Sequence, residues 1–205
     1  MGKIKKVVET RFIDEDEGFE YYHEPAENTL TIKKTPDGYE ARYLVRDSEP
    51  MPPDECDDDN LFLLNYHRDF DVRRDKIITK DEVVAWYRKE EESGKEGYWM
   101  FPLSCYVHSG ILLSLRTGNW NPFDQEGWDT SHVGAVLVSK EEWPDEKKAT
   151  EVAEGLVETW NQYLSGDVYG IVKETYDKDK TPIDQDSCWG FYGHKYALQA
   201  LQTEI

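Results

Sequence analysis

The sequence predicts an α+β fold: a mostly antiparallel sheet with helices packed on one face. Three observations carry the prediction. Short apolar runs alternate with turn chemistry along most of the chain, as in Thr29-Leu-Thr-Ile-Lys-Lys34, Thr35-Pro-Asp-Gly38 and Tyr39-Glu-Ala-Arg-Tyr-Leu-Val45, which is the period-two pattern of a hairpin. The segment Ala149 to Leu164 has instead the i, i+3, i+4 spacing of an amphipathic helix. Finally, 7 Trp, 13 Tyr and 7 Phe supply large buried areas and favour strands, so 205 residues can build a core although only 38% are hydrophobic.

Taken in order, Lys5 to Ile13 reads as a strand. It runs into an acidic block, Asp14 to Glu27, with seven carboxylates and no Lys or Arg, a solvated loop that can also present a phosphate-like row. The Thr29 to Val45 hairpin follows. Asp47 to Asp59 holds three prolines and fits neither period, so it reads as a loop, and it ends in a second acidic block, Asp54 to Asp59. Leu61 to Asn65 is a short buried strand that delivers Tyr66, His67 and Arg68. Thr79-Lys-Asp-Glu82 is a capping box, in which the Thr79 hydroxyl accepts from the third helical N–H while Glu82 reaches back. It predicts a helix with Val83, Trp86 and Tyr87 inward, stopped at Ser93-Gly94.

Phe101 to Val138 places three apolar runs around two polar tips, His108-Ser109-Gly110 and Trp128-Asp129-Thr130-Ser131-His132, the way a sheet carries a site on its turns. Ser139 to Glu142 is another capping box, but Pro144 lacks the N–H an inner turn needs, so the helix is placed from near Asp145. Its apolar stripe is Ala149, Val152, Ala153, Leu156, Val157, Trp160, Tyr163 and Leu164, and Gly155 weakens it by about 1 kcal/mol relative to Ala. Gly166-Asp167 ends it. Val168 to Val172 is a strand, Asp177 to Ile183 a charged turn, and Asp186 to Gly193 an aromatic strand whose glycines mark a bulge or a close backbone approach. A short helix from Lys195 to Leu201 closes the chain. With no repeat or linker, residues 1–205 read as a single domain: hairpin and acidic loops over 1–58, a core over 59–193, and a C-terminal helix over 194–205.

Charge is the dominant global property: 43 Asp and Glu face 24 Lys and Arg, a net −19. Such a surface repels a phosphate backbone and attracts basic ones, which makes nucleic acid a poor direct ligand and a basic protein a good partner. Cys56, Cys105 and Cys188 cannot all pair and show no Cys-x-x-Cys spacing, so a reduced compartment is expected. Cys105 and Cys188 lie in apolar or aromatic runs and are expected to be buried as small hydrophobes, and core packing is the expected use of most of Trp120, Trp128, Trp189 and Tyr192. No run is apolar enough for a signal peptide or a membrane span, so a cytoplasmic location in the host cell and no membrane partner are expected. Oligomeric state is left open by the sequence.

A chain of motifs runs through Asp59-Asn60-Leu61, His67, Pro102-Leu103, Tyr106, His108-Ser109-Gly110, Trp128-Asp129 and Val133-Gly134. It continues through Gln162-Tyr163-Leu164, Gly166-Asp167-Val168-Tyr169-Gly170 and Asp186 to Gly193. From Asp59 to Gly193 the chain resembles a family of acidic proteins from bacteriophage and mobile-element genomes for which no chemistry is established. The resemblance implies a phage or mobile-element origin. Val107 stands where that pattern has Asp immediately before His-Ser-Gly, so an Asp–His pair from adjacent positions is lost.

Two functional expectations follow. The first is a phage-encoded anti-defence inhibitor, not an enzyme, that blocks a basic nucleic-acid-handling host protein such as a CRISPR-type effector or a restriction nuclease, by nucleic-acid mimicry. Its binding surface would be Asp14, Glu15, Asp16 and Glu17 with Asp54, Glu55, Asp57, Asp58 and Asp59. The alternative is a small metal-assisted hydrolase of a nucleotide or phosphodiester, with His67, His108, Asp129 and His132 in one cleft. These four have no His-x-His or His-x-Glu spacing, and Asp54 to Asp59 lacks the alternating ligands and Gly turn of a Ca²⁺ loop, so no metal or other cofactor is expected. Ser109 has no Gly-x-Ser-x-Gly elbow around it, and no Walker loop or dinucleotide fingerprint is present.

Overall fold

A computed structural model of the chain describes residues 12–14, 18–53, 60–67, 81, 85, 97–116 and 128–203. The strands are β1 (Phe12–Asp14), β2 (Phe19–Tyr21), β3 (Thr31–Lys34), β4 (Tyr39–Arg46), β5 (Leu61–Asn65), β6 (Tyr98–Val107), β7 (Ile111–Ser114), β8 (Thr130–Ser139), β9 (Val168–Tyr176) and β10 (Pro182–Tyr192). Two helices have described ends, α1 (Glu146–Leu164) and α2 (His194–Thr203). Every strand pairing is antiparallel and the fold is α+β. Asp81 and Ala85 are helical; the rest of the capping-box helix predicted from Thr79 lies outside the described residues, as does most of the first predicted strand.

The chain divides into two compact units, Met1–Pro50 with Gly166–Ile205, and Met51–Ser165. The sequence carries no composition shift at these boundaries. The single sheet expected from hairpin, central strands and last pair is two sheets, ordered β10-β9-β4-β3 and β5-β8-β6-β7. β4 takes β3 on one side and β9 on the other, while β5 and β7 flank the β8–β6 pair, so the central strands have no need of the hairpin.

In the first unit, one sheet face carries Ala41, Tyr43, Val45, Val172 and Tyr176, covered by Phe19 and Tyr21 of β2. The opposite face carries Leu44, Tyr169 and Ile171, covered by Ala197 and Leu201 of α2. Beyond β3, the backbone of Leu44 is taken up by the preceding loop: its C=O accepts from Ala26 N–H at 2.7 Å and its N–H donates to Thr29 Oγ1 at 3.1 Å. Asn28, at φ +60°, turns that loop. Glu174 of β9 is fully buried. Its Oε1 accepts from the Tyr43 hydroxyl and, at 2.9 Å, from Tyr22 N–H, and its Oε2 accepts from the Tyr176 hydroxyl. This meets the demand that a buried carboxylate be hydrogen-bonded.

β10 pairs with β9 through a register shift between Cys188 and Phe191, with Gly190 at φ +88°, the bulge its glycines predict. Most of β10 is exposed, and Cys188 is exposed with it. That corrects the expectation of a buried thiol: among the described residues the aromatic run lies on the end strand of its sheet, paired with β9 alone, and most of its side chains stay in solvent. Trp128 and Trp189, at 80% and 41% exposure, are likewise surface residues, whereas Cys105 is buried.

In the second unit, α1 starts where Pro144 requires, with Asp145 as N-cap accepting from Lys148 N–H at 3.0 Å. Gly166, at φ +68°, follows its end. Ala149, Ala153, Leu156, Val157 and Trp160 are buried against Leu63, Leu103, Cys105, Leu113, Val133, Val136 and Val138. Phe62, Leu64, Ala135 and Leu137 pack on the other side of the sheet. β5 lies so close to β8 that a Cβ on Gly134 would stand 1.9 Å from the Leu64 carbonyl oxygen.

Candidate functional site

Antiparallel pairing brings the end of β5, the β6–β7 turn and the start of β8 to one end of the second unit's sheet. His67, His108, Asp129 and His132 are all carried there. His108-Ser109-Gly110 is the tip joining Val107 to Ile111, closed by His108 N–H donating to Gly110 O at 3.3 Å. The second predicted tip is shorter than expected, because Thr130, Ser131 and His132 already belong to β8 and pair with Tyr106, Cys105 and Ser104.

Val107 N–H donates to Asp129 O at 2.9 Å, which anchors the approach of β8 beside the tip. The Asp129 carboxylate then lies 3.5 Å from His108 Nδ1, with the two side chains 70% and 46% exposed. The carboxylate beside His108 therefore comes from across the ladder, from the residue that leads into β8. Tyr106 stacks beside His108 with ring centroids 6.3 Å apart.

His132 is engaged differently. Its carbonyl accepts from the Tyr66 hydroxyl at 2.7 Å, and its ring stands edge-on to Tyr66 at 6.4 Å. Tyr66 N–H donates to Val133 O at 3.0 Å, which fixes β5's exit, and His67, partly buried, follows. Thus the structure brings His108 and Asp129 together and ties His132 to Tyr66. Among the described residues no group of three or more His, Cys, Asp or Glu is placed to hold a metal ion.

Of the predicted partner-binding carboxylates, Asp14 ends β1, paired with Phe19. Glu15, Asp16, Glu17, Asp54, Glu55, Asp57, Asp58 and Asp59 lie outside the described residues. A different acidic row is on view. Glu151, Glu154 and Glu158 are exposed on α1, opposite its apolar stripe, and at a rise of about 1.5 Å per residue they stand roughly 4.5 and 6 Å apart along the axis. Glu141, Glu142, Asp145 and Glu146 are exposed ahead of them. The sequence signal was the i, i+3, i+7 spacing of Glu inside the same segment whose apolar spacing revealed the helix.

The first unit holds a charge network that sequence reading missed. Arg42 Nε donates to Glu40 Oε1 at 2.8 Å, and Lys173 Nζ lies 3.2 Å from Glu40 Oε2. Burial pushes the Glu40 carboxyl up, but the hydrogen bonds and charges of Arg42 and Lys173 outweigh it and hold the group below the usual carboxylate range. These residues are two apart on β4 and cross-strand on β9, a pairing visible only once β4 and β9 are known to be neighbours.

Among the described residues no helix is long and apolar enough to cross a membrane. No protein-family model, no curated protein and no solved structure matches this chain.

Proposed function

We propose that the protein is a non-enzymatic inhibitor of phage or mobile-element origin, which binds the basic groove of a host nucleic-acid-handling protein, a CRISPR-type effector or restriction nuclease, as a mimic of nucleic acid. The observation that supports this reading is the exposed row Glu151, Glu154 and Glu158 on a chain of net charge −19. A mimic needs charges displayed in a line, since duplex DNA carries one per about 1.7 Å of axis and about 3.4 Å along each strand. Carboxylates about 4.5–6 Å apart on a rigid helix are somewhat sparser than phosphates. They still fall within one Debye length, about 10 Å at 0.1 M salt, and so act on a basic groove together.

The test uses the basic partner recovered from host cells by pull-down. Association rates are measured at low and high salt for the parent and for Glu151→Gln/Glu154→Gln/Glu158→Gln, with nucleic acid as competitor. Long-range charge governs encounter, so the triple variant should associate more slowly at low salt and show a weaker salt dependence than the parent. Equal rates for both proteins at both salt levels, with no competition by nucleic acid, would reduce the row to a solubilising surface.

A second reading rests on the contact of His108 with Asp129. In that reading His108 would be the general base of a metal-assisted hydrolase acting on a nucleotide or phosphodiester, with His132 and His67 on the same sheet end. Divalent-metal-dependent hydrolysis lost in both His108→Ala and Asp129→Asn would favour it over inhibition.

A further inference from the structure

The α2-facing side of β3 and β4 forms the floor of a cavity of about 300 Å³. Two cross-strand rungs make that floor, Thr31 with Arg42 and Lys33 with Glu40. Leu198 and Leu201, three apart on α2, make an apolar wall, and Asn28, Thr29 and Gln202 complete the lining. Cavities of this size are at the small end of those that take single small molecules, and their usual construction is an apolar lining with a few placed polar groups.

Electrostatics select the ligand. Among the described residues that line the cavity, Lys33 and Arg42 outnumber the carboxylate of Glu40, with Lys173 beside it, so on a chain of net charge −19 the lining itself is positive. Asp184 and Asp186 share this sheet face but sit on β10. Two strand spacings of about 4.8 Å separate that strand from β4, with the cavity on the far side. A metal cation is repelled here and a polyanion does not fit the volume.

We infer that this cavity binds a small organic anion, its acidic head between Lys33 and Arg42 and its apolar body against Leu198 and Leu201. The site is built in advance. The Arg42 guanidinium is fixed by Glu40, Glu40 is fixed by Lys173, and the loop carrying Asn28 is pinned by the Ala26, Thr29 and Leu44 hydrogen bonds. Ligand binding therefore has little ordering to do, which is the usual source of affinity in a small site. The inference is independent of the inhibitory reading, which concerns the other unit.

Carboxylates and phosphate monoesters share the required chemistry, and the experiment separates them. The full chain, methyl-labelled at leucine, is titrated with benzoate, phenyl phosphate, inorganic phosphate and benzyl alcohol. Saturable shifts of the Leu198 and Leu201 methyls are expected with benzoate, phenyl phosphate or both, with Kd below about 1 mM. Inorganic phosphate, a head without a body, and benzyl alcohol, a body without a head, should bind at least about tenfold more weakly, since a charge-assisted hydrogen bond and buried apolar area each contribute about that much. Lys33→Gln, a substitution at an exposed strand position, should weaken the organic anion about tenfold with the fold intact; Arg42→Gln should do so more strongly. No saturable shift with either organic anion, unchanged affinity in Lys33→Gln, or benzyl alcohol binding as tightly as benzoate would each overturn the assignment.

Discussion

Asn161 binds Leu113 through both groups of its amide: Leu113 N–H donates to Oδ1 at 2.7 Å, and Nδ2 donates to the Leu113 carbonyl at 3.0 Å. A side chain of α1 thus takes the place a further strand would occupy beside β7, the last strand of its sheet among the described residues. Helix and strand edge are joined by the same two bonds that join strands to each other, and the edge is covered.

Asn161→Ala should destabilise the protein by about 2–3 kcal/mol, because it leaves a buried N–H and C=O without their partners. Asn161→Asp keeps the acceptor and loses the donor, so its loss should be smaller than that of the alanine variant. Denaturant unfolding measures both, and amide exchange at Leu113 should accelerate in step. A change under about 0.5 kcal/mol for Asn161→Ala would show that water replaces the side chain at no cost.

Trp160 is fully buried in the face of α1 that meets the sheet, edge-on to Tyr163 at 5.7 Å. Trp160→Ala should destabilise by about 3–5 kcal/mol, the cost of emptying an aromatic site. The check is equilibrium unfolding in denaturant.

Two glycines should respond with opposite signs. At Gly155 of α1 an added methyl meets nothing within 4 Å, and alanine is the better helix former, so Gly155→Ala should stabilise by about 0.5–1 kcal/mol. At Gly134 the methyl would strike the Leu64 backbone, and Gly134→Ala should destabilise by about 1–3 kcal/mol or more as β5 is forced away from β8. Thermal unfolding of the two variants beside the parent separates them.

Tyr43 and Tyr176 donate to Glu174. Burial, followed by the hydrogen bond and charge of Glu174, pushes both phenols above their ordinary range. A folded pKa raised above the unfolded one means that the folded state holds protons the unfolded state releases. The stability these groups contribute is therefore complete below about pH 10 and is lost as pH rises beyond it, at up to about 1.4 kcal/mol per pH unit for each tyrosine. In an alkaline absorbance titration these two phenols should ionise only as the protein unfolds, after the exposed tyrosines. Tyr43→Phe should lower the steepness of the alkaline loss; an unchanged slope would remove Tyr43 from the account.

How much of this was legible beforehand depends on the range of the interaction. Local chemistry read correctly. Thr35 to Gly38 turned the hairpin, Pro144 moved the start of α1 to Asp145, and Gly190 marked a bulge. Partner choice did not, because the alternation of Tyr39 to Val45 says which face is apolar and is silent on whether β6 or β9 lies alongside. The single sheet and the burial of Cys188, Trp128 and Trp189 failed on that point, whereas Trp160, placed by the local helical spacing, is buried as expected. For the site, four polar residues were rightly placed at strand ends, but the contact of His108 with Asp129 depends on the β6–β8 register, which shifts between Leu103 and Ser104. The network around Glu40 and the acidic row of α1 used spacings present in the sequence, yet each gained meaning only from what its element faces.

Among the described residues β10 is hydrogen-bonded on one side only, by β9. A long strand in that position is a template onto which other chains can add, and at high concentration such addition ends in insoluble fibres. Asp184 and Asp186 are exposed along it and Gly190 bends it out of register. Two copies meeting antiparallel at this strand would set carboxylate against carboxylate, and the kink would limit the straight length left to pair. The two aspartates and the bend are accordingly expected to keep the protein clear at high concentration. Asp184→Asn/Asp186→Asn should bring on light scattering and thioflavin binding at concentrations where the parent stays clear.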